Sequence, residues 1–302
     1  MTIDDSKYEP GEKTVDDFFP DPLMTGEDVD VDALHEKDAV NVELVTYPEW
    51  DQVERMLVDS ALAPFGYEAS KYEHLTAEER EKWLGEMIDG GALKNSLEGV
   101  KYTFYIEGIS KTVLAQLTRH RIGCSWTSVT SGNFDQRKTD YILPEAIRKN
   151  GWDEEVEEKM EEVYQLYADM VDDGVALECA REILPQAIVN YNVMTVNFRA
   201  LVDNIMPVRG CDPGQPVVWN YLMAQFKEEI AEVHPLLAEQ LTFSCEQCIY
   251  PDGLAWPQYN QFKCSRDDCP DDKFDDFEGI YDQTAAEMRE PEDRDENAGD
   301  LL

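Results

Sequence analysis

Arg119, His120 and Arg121 stand together in a chain that carries 65 acidic and only 26 basic residues, for a net charge of −39. Positive charge is scarce here, so its placement is informative. Seven of the twelve arginines (Arg119, Arg121, Arg137, Arg148, Arg181, Arg199 and Arg209) fall between residues 119 and 209. A guanidinium presents paired N–H donors that match phosphate or carboxylate oxygens two at a time. An acidic protein that binds a phosphorylated ligand needs such donors locally, to overcome its own field. The plainer account is that these arginines neutralise neighbouring carboxylates, and clustering alone does not separate the two. His120 is one of four histidines; without its flanking arginines it would read as a packing or hydrogen-bonding residue. The triplet leads into a run rich in small hydroxyl residues, "CSWTSVTS" (124–131), that can seat a polar ligand through hydrogen bonds.

A second constellation is made of cysteines. Cys245, Cys248, Cys264 and Cys269 are spaced C-x2-C-x15-C-x4-C, a pattern that fits a tetrahedral structural zinc except for the looser second pair. Four thiolates would leave no open coordination position, so the chemistry expected of such a site is structural. The competing account is four reduced thiols in a surface extension. Cys124 lies three residues after the triplet, where the arginines could lower its pKa and make it a nucleophile. Cys124, Cys179 and Cys211 otherwise read as small core or loop residues.

These groups need elements to hold them. "AVNVELVTYP" (39–48) alternates like a strand and "EWDQVERMLVDSAL" (49–62) has helical spacing. "TAEEREKWLGEMIDGG" (76–91) places Thr76 as an N-cap with Glu79 three residues on. "GVKYTFYIEGI" (99–109) predicts a central strand, and 110–121 a helix that delivers the triplet. Residues 152–173 predict a long amphipathic helix with Val156, Met160, Val163, Leu166 and Met170 on one stripe. Pro185, Pro207 and Pro213 then divide helical pieces near 176–184, 186–206 and 215–240. The expected organisation is an acidic, disordered segment over 1–38, a catalytic body over 39–243, a Cys-rich extension over 244–270 and an acidic tail over 271–302.

Composition narrows the function. A pI near 4.2 argues against binding nucleic acid or an anionic membrane through a general basic surface. Acidic side chains fill the middle of the chain as well as its ends, as in "WDEEVEEKMEEVYQLYADMVDDG" (152–174). That distribution suits a salty, halophilic cytoplasm, where the screening length shrinks to roughly 3 Å at molar salt. No apolar run is long enough to span a bilayer and the first residues carry no basic and apolar leader, so a cytoplasmic protein is expected. Seven cysteines, an odd number, do not read as a secreted disulfide framework.

The triplet with its hydroxyl-rich loop resembles the signature of the flavin-dependent thymidylate synthases, and three further stretches agree in order and distance. "AREILP" (180–185) is similar to that family's Ala-Arg-x-x-Leu-Pro element, and "TVNFRAL" (195–201) to its Asn-x-Arg element. "RGCDPGQ" (209–215) is similar to an Arg followed six residues later by Gln. Gln116, three residues before the triplet, also fits, and the likeness extends from about residue 41 to 241.

The resemblance implies an α+β fold, a mixed sheet flanked by long helices, assembled as a homotetramer. It implies that Arg119, His120 and Arg121 contact FAD, with Asn197, Arg199, Asn204 and Glu98 on the same side. Gln116, Arg181 and Arg209 would hold the nucleotide dUMP, with Arg209 close to the pyrimidine. The reaction implied is methylation of dUMP to dTMP, with methylenetetrahydrofolate giving the carbon and NADPH reducing FAD, which delivers hydride. The nucleotide loop departs from the family. "SGN" (131–133) keeps the Ser-Gly but has Asn for Arg, while "DQR" (135–137) keeps the Gln-Arg but has Asp for Ser, so Ser131 and Arg137 both remain candidates. The family's His-Gly-His element is absent from "GGALKNSLEG" (90–99). Two rival activities stay open: flavin-dependent transfer of a hydroxymethyl group to a pyrimidine nucleotide, and a non-catalytic zinc-bearing nucleic-acid-binding protein, which the net charge disfavours.

Overall fold

The computed structural model describes residues 29–88, 94–129, 131–210 and 218–242. In chain order its elements are β1 (Ala33–Leu34), α1 (Glu36–Ala39), β2 (Asn41–Thr46), α2 (Trp50–Leu62), α3 (Ala77–Ile88), β3 (Lys101–Ser110) and α4 (Lys111–Leu117). β4 (Cys124–Ser128), β5 (Tyr141–Ile142), α5 (Glu145–Lys149), α6 (Asp153–Asp172) and α7 (Leu177–Ala180) follow. The last are β6 (Val189–Asn197), α8 (Phe198–Ala200), a π-turn (Leu201–Ile205), α9 (Met206–Arg209), α10 (Val218–Val233) and α11 (Pro235–Ala238). The fold is α+β. Four strands form an antiparallel sheet in the order β2-β3-β6-β4, and β1 pairs with β5 in parallel.

The pleat of β3 sorts its side chains. Tyr102, Phe104, Ile106 and Ile109 are fully buried, while Thr103, Tyr105 and Glu107 turn to the other face. A bulge between Ile106 and Ile109 shifts the register and lets Ile109 face inward. Gly108 makes this possible: its φ is +68°, and a Cβ would fall 1.6 Å from the Ala39 carbonyl oxygen. Against the inner face packs α10, whose Trp219, Leu222, Met223, Phe226 and Ile230 are buried. Phe226 meets Phe104 edge to face at 4.7 Å. A smaller core gathers Tyr141, Leu143, Tyr164, Tyr167 and Ile188 beneath α6.

The Thr76–Glu79 capping box is present. The Glu79 backbone N–H donates to Thr76 Oγ1 at 3.2 Å and the Thr76 N–H donates to a Glu79 carboxylate oxygen at 2.8 Å. Four sequence expectations are corrected. The body starts before residue 39, because β1 and α1 already pack there and Glu36 is buried. Residues 189–197, expected within a helix, form β6, held on both sides by β3 and β4. The helix expected over 110–121 stops at Leu117, so the triplet lies in the turn beyond it. Leu166 is exposed, since the buried stripe of α6 runs instead through Tyr164, Tyr167 and Ala168. The segment 1–28 and everything after Thr242, including all four late cysteines, lie outside the described residues.

Candidate active site

Helix α4 is the organising element. Ser110 caps it, accepting from the Val113 N–H at 3.3 Å, and Gly123 (φ +76°) turns the chain from the triplet into β4. The triplet alternates: His120 is buried, while Arg119 and Arg121 are exposed and form no ion pair among the described residues. A Cβ on Gly123 would fall 2.5 Å from the Asn197 side chain, and the Asn197 N–H donates to the Gly123 carbonyl at 2.8 Å. The turn therefore packs directly on the start of α8. Asn197 caps that helix, its Oδ1 accepting from the Ala200 N–H at 2.8 Å. Arg199 follows, ion-paired with Glu98 at 2.6 Å and Asp203 at 3.3 Å, and Asp203 also takes Lys94 at 2.7 Å. The structure thus brings Arg119, His120, Arg121, Asn197, Arg199 and Glu98 to one region.

Arg209 joins this region from α9. Its Nη1 donates to Gln116 Oε1 at 2.7 Å, its Nη2 to the Gln116 carbonyl at 3.0 Å and its Nε to His120 Nε2 at 3.0 Å. The guanidinium lies over the Trp219 ring, 4.7 Å from its centroid. An arginine can only donate, so His120 Nε2 is an acceptor and the imidazole is neutral, with its proton on Nδ1. Burial first, then the adjacent Arg209 charge, hold His120 below its ordinary pKa, while a hydrogen bond with the Asn204 side chain pulls the other way. Trp126 Nε1 donates to the His120 carbonyl at 3.2 Å and pins the turn.

A second cluster sits at the other end of α4. Ser131 is buried, and Lys111 Nζ donates to its Oγ at 3.0 Å. Arg181, at the end of α7, pairs with Glu178. Gly132 lies against both, since a Cβ there would meet the Glu178 carboxylate and, at 3.0 Å, Arg181 Nη1. Lys111 was not singled out in the sequence. The signal was its position: the first residue of a helix favours acids over cations.

The two alternatives in the loop part company. Ser131 stands with Lys111 and Arg181. Arg137 is buried elsewhere, its Nε on Asp135 at 2.7 Å and its Nη2 on Asp172 at 2.8 Å. These contacts tie the loop to α6, and Asp135 also accepts from its backbone N–H at 2.9 Å. Cys124 is not activated by the arginines that precede it; burial pushes its thiol up to about 11. Among the described residues no group of three or more His, Cys, Asp or Glu could hold a metal, and no helix is long and apolar enough to cross a membrane.

Comparison with known proteins bears on this geometry. The family described as thymidylate synthase complementing protein matches residues 34–236. The flavin-dependent thymidylate synthase of Sulfurisphaera tokodaii is 32% identical over 214 residues, which cover 68% of this chain and 79% of that protein. That of Thermococcus onnurineus is 31% identical over 236 residues, covering 73% and 93% respectively. Among solved structures, a UMP/dUMP methylase, PolB from Streptomyces cacaoi bound with 5-Br dUMP, shares the fold with a TM-score of 0.56 at 17% identity. It covers 72% of this chain and 98% of its own.

Proposed function

The chain belongs to the family of thymidylate synthase complementing proteins, the flavin-dependent thymidylate synthases, and from that membership we propose that it methylates dUMP to dTMP. The observation that carries this reading is the convergence at α4. In a chain of net charge −39, Arg119 and Arg121 follow α4 directly, Arg209 bonds its Gln116 and Arg199 stands on the helix packed against the same turn; the first two have no ion pair among the described residues. That is what anionic ligands require of an acidic protein.

The residues present fit a flavin dinucleotide. Arg119 and Arg121 offer exposed guanidinium groups to a pyrophosphate, with His120, Asn197, Asn204 and the Glu98-paired Arg199 beside them. Bound there, FAD supplies hydride transfer, with NADPH as its reductant and methylenetetrahydrofolate as carbon donor. Gln116, Ser131 and Arg181 hold the nucleotide. Arg209, oriented by Gln116 and His120, stabilises negative charge on a pyrimidine carbonyl as the ring is reduced. The assembly proposed is a homotetramer. Ile122 beside the triplet, Val129 after β4 and Val193 on β6 are exposed apolar side chains that such contacts would cover. One structural zinc on Cys245, Cys248, Cys264 and Cys269 is proposed from their spacing.

The test is purification in molar KCl, a flavin spectrum, and product mass after incubation with dUMP, methylenetetrahydrofolate and NADPH. dTMP is expected. A hydroxymethylated nucleotide would shift the reading to the related transfer that the neutral Asn133 leaves open. A colourless protein that neither rebinds FAD nor turns over dUMP would overturn both.

A further inference from the structure

We propose that Lys111 supplies a cation for the 5′-phosphate of the bound pyrimidine nucleotide, acting with Ser131 and Arg181; this rests on the reading of the site as nucleotide-binding. The first argument is charge balance. Lys111 is half-buried in a protein with 65 acidic residues, yet its ammonium meets only the neutral Ser131 Oγ, at 3.0 Å, and pairs with no carboxylate among the described residues. Its charged neighbours include another cation: burial first, and then Arg181, lower its pKa, with Glu182 pulling weakly back. A half-buried ammonium beside a guanidinium is unfavourable by itself and becomes favourable once a dianion sits between them.

Hydrogen-bond capacity gives the second argument. An ammonium has three donors, and Lys111 spends one on Ser131. Ser131 accepts that bond, which leaves its own O–H to donate onward. The buried hydroxyl and the ammonium therefore both have donors to offer, and an oxyanion accepts both. Arg181 adds a second cation, ion-paired with the exposed Glu178. Gly132, lacking a Cβ, lets the Glu178–Arg181 pair close onto the loop, since a Cβ there would overlap the Glu178 carboxylate and fall 3.0 Å from Arg181 Nη1.

The third argument is the loop's own sequence. With Ser131 taken as the loop serine, Asn133 is exposed and neutral at the place where the family it resembles carries an arginine. In this chain a positive charge enters from α4 instead. A phosphate monoester matches the site better than a carboxylate, because it brings two charges and three acceptor oxygens to three donor groups.

The experiment measures phosphate selectivity in the full-length flavoprotein. dUMP and deoxyuridine are titrated into wild type, Lys111→Met and Lys111→Arg in the same buffer. The dUMP affinity of Lys111→Met should fall more than fivefold, on the order of 10- to 100-fold, as expected for one charge-assisted contact. Its deoxyuridine affinity should hold, and Lys111→Arg should keep most of the dUMP affinity. A dUMP loss below fivefold, or one shared by deoxyuridine, overturns the assignment. A measurement on wild type guards against misfolding of the variants: dUMP, but not deoxyuridine, should protect Lys111 from acetylation by an amine-directed reagent, read by mass spectrometry. Equal labelling under the two ligands also overturns it. Wild type that prefers dUMP to deoxyuridine but forms no dTMP would fail the proposed reaction and leave Lys111 standing. Wild type that binds the two alike would fail Lys111 whatever it catalyses.

Discussion

Arg209 shows how one side chain can be both a structural tie and a catalytic candidate. It is 7% exposed and spends donors on Gln116 and His120. Removing it leaves His120 Nε2 as a buried acceptor without this donor, which costs about 1–3 kcal/mol, and strips the half-buried Gln116 Oε1 of the same partner. Arg209→Ala should therefore lower the melting temperature as well as cut dTMP formation, the latter by roughly a hundredfold. Arg209→Lys keeps a charge without the fork and should recover stability more than rate. A variant that melts like wild type and still makes dTMP would remove Arg209 from both roles. Cys124 offers the opposite lesson. Its proximity in sequence to three basic residues suggested activation, but burial lifts the thiol to about 11 and its nearest acceptor is the Ile122 carbonyl at 3.7 Å. Cys124→Ser should keep most of the activity, and no covalent Cys124–nucleotide adduct should be trapped; an adduct seen by mass spectrometry would reverse this.

At the scale of elements, the junction of α10 and α11 with β3 has a testable pH response. His234 caps α11 and is 1% exposed. Its Nδ1 is 2.7 Å from the Tyr102 hydroxyl, and the ring also bonds the Pro48 backbone. Proline offers only a carbonyl, so a ring N–H donates there and Nδ1 accepts from Tyr102, an arrangement of the neutral imidazole. Burial holds His234 below its ordinary pKa, as it does His120. The unfolded chain therefore takes up these protons first as pH falls. The stability they contribute is complete above about 6.5 and is lost as pH falls through the lower folded values. Glu36, raised by burial, works in the opposite sense nearer the carboxylate range. The melting temperature should climb from about pH 5 to 7 and then level, with a shallower climb in His234→Phe; a flat wild-type profile would contradict it. What the sequence made legible was what local signals decide. The Thr76–Glu79 box, the alternation of β3 and the stripe pattern of α6 were readable in place, apart from Leu166. β6 was not, because two of its inward positions are Asn190 and Asn192, which hide the apolar alternation, and prolines at 185 and 207 frame it like a helix. Only pairing with β3 and β4, distant in sequence, makes it a strand. β4, "CSWTS", read as a polar loop for the same reason. In the site, ordered spacing pointed to the arginines and Gln116, whereas Lys111, marked in the sequence only as a cation opening a helix, gains its meaning from a contact with Ser131, 20 residues later.

The whole molecule must live with a charge of −39. Described acids crowd outward faces, as Glu154, Glu155, Glu158, Glu161 and Glu162 do on α6, and cations such as Lys159 that answer them are themselves exposed and few. Exposed pairs of this kind contribute about 0–1 kcal/mol each, too little to offset the summed repulsion at low salt. Raising salt from 0.1 M to 1 M shortens the screening length from about 10 Å to about 3 Å, which removes that repulsion over most of the surface. The melting temperature should rise, and any oligomer tighten, between dilute buffer and molar KCl. The same field acts on the substrate. A dianionic nucleotide approaching this protein is repelled over long distances and attracted only near the arginines and Lys111. Salt screens the long-range term strongly, while contacts made in half-buried ground are screened much less. For an enzyme with a basic surface, salt slows capture of a nucleotide; here the sign should reverse. The second-order rate of dUMP capture, kcat/KM under conditions where the protein stays folded, should increase with KCl, while that for uncharged deoxyuridine binding should change little. A kcat/KM for dUMP that falls monotonically from dilute buffer to molar KCl would mean that local attraction, not the global field, governs the approach.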